Sequence, residues 1–167
     1  MKKDNIITYA VDYETFYDKK CSIRTLGPIG YFSHPDFDAY LVSVVGDNNY
    51  EFVGHPKDFD WSMLEGNIVL SHNASFDESL YLYGVTQNWW PEVTPAAWYC
   101  TADMAAAVGL PRSLKGATER AFPHMEVSKD TRNKMMGKVW GSMTEEFQKE
   151  VEVYALADST LCLQLWK

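Results

Sequence analysis

The run from residue 6 to residue 14, IITYAVDYE, narrows most sharply what this chain can become. It is apolar and β-branched, the composition of a buried strand, yet it ends in two acids two positions apart. Side chains two apart on a strand point the same way, so Asp12 and Glu14 share a face. Adjacent carboxylates repel unless a cation lies between them. A solvent-facing strand end is the plain alternative for Asp-x-Glu by itself, and the strongly apolar flank argues against it.

The remaining pattern places this strand in a mixed α/β sheet covered by helices. AYLVSVVG and YEFVG flank the turn-forming Asp47-Asn48-Asn49 and read as a hairpin. Residues 15–37 read as a long excursion with turn signals at Gly27-Pro28 and His34-Pro35. HPKDFDWSMLEG reads as a short helix, NIVLSHN as a short buried strand, and ASFDESLYLYGV as a helix with Phe76, Leu80 and Tyr83 at helical spacing. A short strand around Trp98–Cys100 is followed by the Ala-rich helix TADMAAAVGL and a helix capped by Ser113. Residues 123–143 are polar and resist assignment. Thr144 opens a last helix with little room beyond Asp158.

Length and composition bound the rest. At 167 residues, 46% hydrophobic and 23% charged, the chain reads as one globular domain, residues 1–167. No apolar run approaches a membrane span, and the start lacks a secretory pattern. Cys21, Cys100 and Cys162 are widely spaced and read as reduced, mostly buried thiols, and the four histidines form no zinc pattern with them. The net charge of −8 is unevenly spread. Residues 111–138 carry seven basic against three acidic residues, a net +4, leaving −12 elsewhere.

Two further motifs carry acids. In SHNASFD, Asp77 falls in the first turn of a helix directly after a strand, with His72 and Asn73 at the junction and Asn73 expected as the N-cap. In VYALAD, Tyr154 and Asp158 lie one helical turn apart on one face. Carboxylate oxygens suit Mg²⁺ and Mn²⁺, and a site holding two such ions suits in-line phosphodiester cleavage. Singly, each motif has a bland reading: a helix-dipole acid for Asp77, a core tyrosine for Tyr154.

In this order, D-x-E, N-x-x-[FY]-D and Y-x-x-x-D resemble the DnaQ-like 3′–5′ exonucleases, and the tyrosine places the resemblance in the DEDDy subgroup. A closer likeness is to the proofreading exonuclease segment of phage family A DNA polymerases, through YFSHPDFDAYL, CT before the Ala-rich helix, GLPRSL and Lys129-Asp130. The resemblance implies a ribonuclease H-like fold, an α/β mixed sheet flanked by helices, and removal of nucleoside monophosphates from the 3′ end of single-stranded DNA. It implies two divalent ions, Mg²⁺ or Mn²⁺, held by Asp12, Glu14, Asp77 and Asp158, with Tyr154 positioning the attacking water. Thr15, Phe16, Leu26, Asn73 and Phe76 are the implied substrate contacts. A polymerase domain or replication protein is the implied partner, with no membrane, in the cytoplasm (the host's, if the chain is virus-encoded). An exoribonuclease of the same superfamily and an inactive interaction module are the competing expectations. Trp89 and Trp90 mark either a partner face or a loop packed on the core.

Overall fold

A computed structural model describes residues 5–124 and 130–167. Within the basic stretch 111–138, Glu126, Lys129 and the side chain of Asp130 lie outside the described part of the chain. Among the described residues five strands form one mixed sheet: β1 (Thr8–Thr15), β2 (Ala39–Gly46), β3 (Glu51–Gly54), β4 (Ile68–Ser71) and β5 (Ala97–Cys100), in the order β3-β2-β1-β4-β5. β1 is central and runs antiparallel to β2 but parallel to β4, and β5 continues the parallel half. Its near-continuous apolar sequence follows from that position, with both faces covered.

Helices cover both faces of the sheet. The first is α1 (Ile23–Phe32), then α2 (Ala74–Thr86), α3 (Thr101–Ala107), α4 (Leu114–Ala121), α5 (Asp130–Met135) and α6 (Glu145–Trp166). On one face of β1, Ala10 packs with Val45, Leu70, Cys162 and Leu163, which seats α6 on the sheet. On the other, Tyr13 stacks on Trp61, with centroids 6.0 Å apart, and lies 5.7 Å from Trp90. No helix among the described residues is long and apolar enough to cross a membrane.

Several local expectations are corrected. The excursion 15–37 contains α1: Ser22 caps it by accepting from the Thr25 N–H, and Gly27 (φ 70°) with Pro28 kinks the helix instead of ending it. Residues 55–65 form two single turns of 3₁₀ helix, Pro56–Asp58 and Trp61–Leu64, because His55 and Asp60 each cap a separate start. α6 continues eight residues past Asp158, anchored by buried Leu161, Cys162 and Leu163. Trp90 is core: it is 7% exposed and donates its indole N–H to the Tyr81 carbonyl at 2.9 Å. Trp89 stays exposed, stacked on Phe37.

Trp90 sits so close under α2 that a Cβ on Gly84 would overlap its indole. Alanine gains about 1 kcal/mol over glycine in a helix, whereas forced overpacking costs roughly 1–3 kcal/mol. The clash wins. Gly84→Ala is therefore expected to lower the melting temperature, at ~2–4 °C per kcal/mol for a chain of this size. An unchanged or higher melting temperature would contradict this packing.

Candidate metal centre

β1 and α6 deliver the acids to one place. Asp12 and Glu14 stand on the α6-covered face of β1, just before the register slips between Glu14 and Thr15. Bulges of this kind re-aim side chains where a strand meets a site. One carboxylate oxygen from each of Asp12, Glu14 and Asp158 lies within 4.8 Å of the others. These three could hold a metal ion. Carboxylate oxygens are hard donors, the kind that oxygen-preferring metal cations take.

Asp77 stands beside this group, in the first turn of α2 and only 2% exposed. Its Oδ1 accepts from the Tyr13 backbone N–H at 3.2 Å. The residue between the two strand acids thus ties the helix that carries the fourth. α6 is pinned by a different device. Ser43, paired across the sheet with Asp12, donates to the Ala155 carbonyl at 2.8 Å, and its hydroxyl lies 2.6 Å from that of Ser159. Both serines are fully buried. Ala155 and Ser159 immediately follow Tyr154 and Asp158, so this contact sets where those two side chains face.

The acids open into a cavity of about 440 Å³, whose wall also carries Arg24, Arg112, Lys115 and Arg132. Burial pushes the Asp12 carboxyl up to about 8, helped by the Asp158 charge and opposed by Arg132. Glu14 is raised well above the usual range by burial and then by Asp12 and Asp158, again against Arg132. Asp77 is raised by burial and by Asp12. Tyr154 is also pushed up, by burial and then by Asp158, with which it shares a hydrogen bond. A protonated phenol donates a hydrogen bond and can orient a water. Compared against protein-family models and curated proteins, the chain matches none of them.

All five residues expected to do the chemistry line the cavity: Asp12, Glu14, Asp77, Tyr154 and Asp158. The expected substrate contacts divide. Thr15, Asn73 and Phe76 line it, Thr15 with its hydroxyl 2.8 Å from that of Tyr31. Phe16 is a core residue, 7% exposed, and is absent from the cavity wall. Leu26 is exposed on α1, outside that wall. Asn73 occupies the N-cap position but makes no side-chain cap, because its backbone is left-handed (φ 79°) and not extended; its Oδ1 accepts from the Ser75 hydroxyl instead. Tyr17, Arg24, Tyr31, His72, Arg112, Lys115 and Arg132 also line the cavity, none of them expected there from the sequence. The basic density of residues 111–138 was the available signal for Arg132.

The pH dependence of the metal-free protein follows from these shifts. Asp12 keeps its proton up to about pH 8 when folded and releases it near about pH 4 when unfolded. Between those values the folded chain holds more protons, so its stability falls as pH rises; Glu14 and Asp77 act in the same direction. With EDTA present, the melting temperature is expected to be highest near pH 5 and to decline toward pH 9. Added Mn²⁺ should raise it more at pH 8 than at pH 5, because metal and protons compete for the same oxygens. A melting temperature that climbs steadily from pH 5 to 9 without metal would contradict the assignment.

Proposed function

We propose that this protein is a divalent-metal-dependent 3′–5′ exonuclease on a ribonuclease H-like fold, acting on single-stranded DNA ends. The observation that carries the reading is the convergence of Asp12, Glu14 and Asp158 within 4.8 Å in a cavity that also displays four basic side chains. Carboxylates and cations lining one cavity suit a phosphodiester: the cations receive backbone phosphates, which supply most non-specific affinity for nucleic acid. The strand order, with β1 central between an antiparallel and a parallel half, is compatible with the ribonuclease H-like arrangement. The 3′–5′ polarity and the preference for DNA rest on the motif resemblance.

Two divalent ions, when bound, supply the positive charge that makes water nucleophilic at neutral pH and stabilises the departing oxygen. Asp12, Glu14 and Asp158 would hold one of them, and Asp77, close enough to feel the Asp12 charge, would help hold the other. The chain's own groups do the rest. Tyr154 keeps its proton and, hydrogen-bonded to Asp158, orients the attacking water. Arg112, Lys115 and Arg132 grip phosphate oxygens from the wall. Phe76, packed on Phe32 at 5.7 Å, offers a ring against which the terminal base can stack.

The test is digestion of single-stranded DNA labelled at one end or the other, with Mg²⁺ or Mn²⁺. Immediate release of the 3′ label as a mononucleotide, with a descending ladder from the 5′ label, is expected. Asp12→Ala should reduce the rate by about 10³-fold or more, the scale of losing a principal source of transition-state charge stabilisation. Tyr154→Phe should cost on the order of ten- to a hundredfold, below the range for a true general base. Full activity in Asp12→Ala would overturn the site. Hydrolysis of RNA but not DNA would move the substrate to the ribonucleotide class and leave the chemistry intact.

A further inference from the structure

His72 sits at the junction of β4 and α2, five residues before Asp77, and its imidazole bridges two other segments. Nε2 lies 2.7 Å from the Arg112 carbonyl oxygen, and Nδ1 lies 2.9 Å from Thr101 Oγ1 at the start of α3. A carbonyl can only accept, so Nε2 carries the proton, and in the neutral ring Nδ1 accepts from the Thr101 hydroxyl. Burial, with the Arg112 charge nearby, lowers the His72 pKa against the pull of its bond to the carbonyl, which keeps the ring neutral at physiological pH. Thr101 is itself buried, 3.3 Å from Cys162 Sγ on α6.

The segment that receives the Nε2 bond joins α3 to α4. Arg112 is held at its carbonyl by His72 and at its guanidinium by Asp103 of α3. From this anchored point the chain runs through Ser113, which caps α4 by accepting from the Gly116 N–H, to Leu114 and Lys115. All four residues from Arg112 to Lys115 line the cavity that holds the acids. One ring therefore couples the acid-bearing end of β4 and α2 to the basic wall.

We propose that His72 is a positioning residue: by latching the Arg112 carbonyl it sets the Arg112–Lys115 wall at the spacing that receives the backbone phosphate of a bound strand. This rests on the nuclease reading. The latch acts on substrate capture and not on the metals, because its partners are the wall's backbone and Thr101, not the acids.

Two substitutions separate this role from a merely structural one. His72→Gln carries an amide nitrogen to about where Nε2 sits and keeps the donation to Arg112. His72→Asn reaches only as far as Nδ1 and loses it. With single-stranded hexathymidylate as substrate and Mg²⁺ present, His72→Asn should raise KM about fivefold, the equivalent of one net hydrogen bond, with kcat within about twofold. His72→Gln should stay near the wild type, and anisotropy of the labelled oligonucleotide in Ca²⁺ should show the same ranking. The rise in melting temperature on adding Mn²⁺ should be unchanged in both variants. Equal impairment of the two variants, or a fall in kcat at constant KM, would overturn the latch. A wild-type protein that neither binds nor cleaves the oligonucleotide would overturn the nuclease reading itself. A normal wild type with an unaltered His72→Asn variant would sink only the latch.

Discussion

Three carboxylates brought within 4.8 Å of one another are the constraint around which this fold is organised. At that distance each ionised pair repels by roughly 3–4 kcal/mol at an effective dielectric of about 20. The chain does not relieve this by turning the acids outward. It places Asp12 and Glu14 on the central strand, covers them with α6, and sets Asp77 against the same strand through the Tyr13 N–H. Two kinds of relief remain, a proton or a cation. Burial and the Asp158 charge both push the Asp12 carboxyl toward the proton when no cation is bound.

Holding such a cluster closed takes more than hydrogen bonds. The Ser43–Ser159 contact and the bond to the Ala155 carbonyl contribute about 1 kcal/mol each, less than a single ionised pair opposes. Packing decides the balance. Val151, Ala155, Leu161, Cys162 and Leu163 are all buried along α6, and a fully buried aliphatic side chain contributes about 1.5–3 kcal/mol. The serine pair instead fixes register. Being polar and buried, it tolerates one alignment of α6 on β2, the one that turns Tyr154 and Asp158 toward the strand acids.

Much of this was legible in the sequence because the informative signals were local. The apolar run into Asp12 and Glu14 reads as a buried strand, the four-residue spacing of Tyr154 and Asp158 as one helix face, and Ser113 and Thr144 as caps that the structure contains. What escaped is non-local or depends on backbone conformation. Asn73 has the right composition for a cap and the wrong φ for one. Phe16 follows the acids in sequence, yet the bulge after Glu14 leaves it in the core. Arg132 lies in a polar stretch with no periodicity, and its place on the cavity wall comes from tertiary docking. The Tyr17 hydroxyl donates to the Arg132 carbonyl at 2.8 Å, and the Thr131 hydroxyl donates to Glu150 at 2.8 Å. No pattern within ten residues encodes either bond.

The central claim is that the clustered acids form a divalent-cation site, and calorimetric titration of Mn²⁺ into the metal-free protein tests it most directly. Run near pH 7.5 in two buffers of different ionisation enthalpy, it counts both ions bound and protons released. Two ions per chain, binding with proton release and lost in Asp12→Ala, are expected. Absence of binding at millimolar Mn²⁺, or identical binding by Asp12→Ala, would contradict the account.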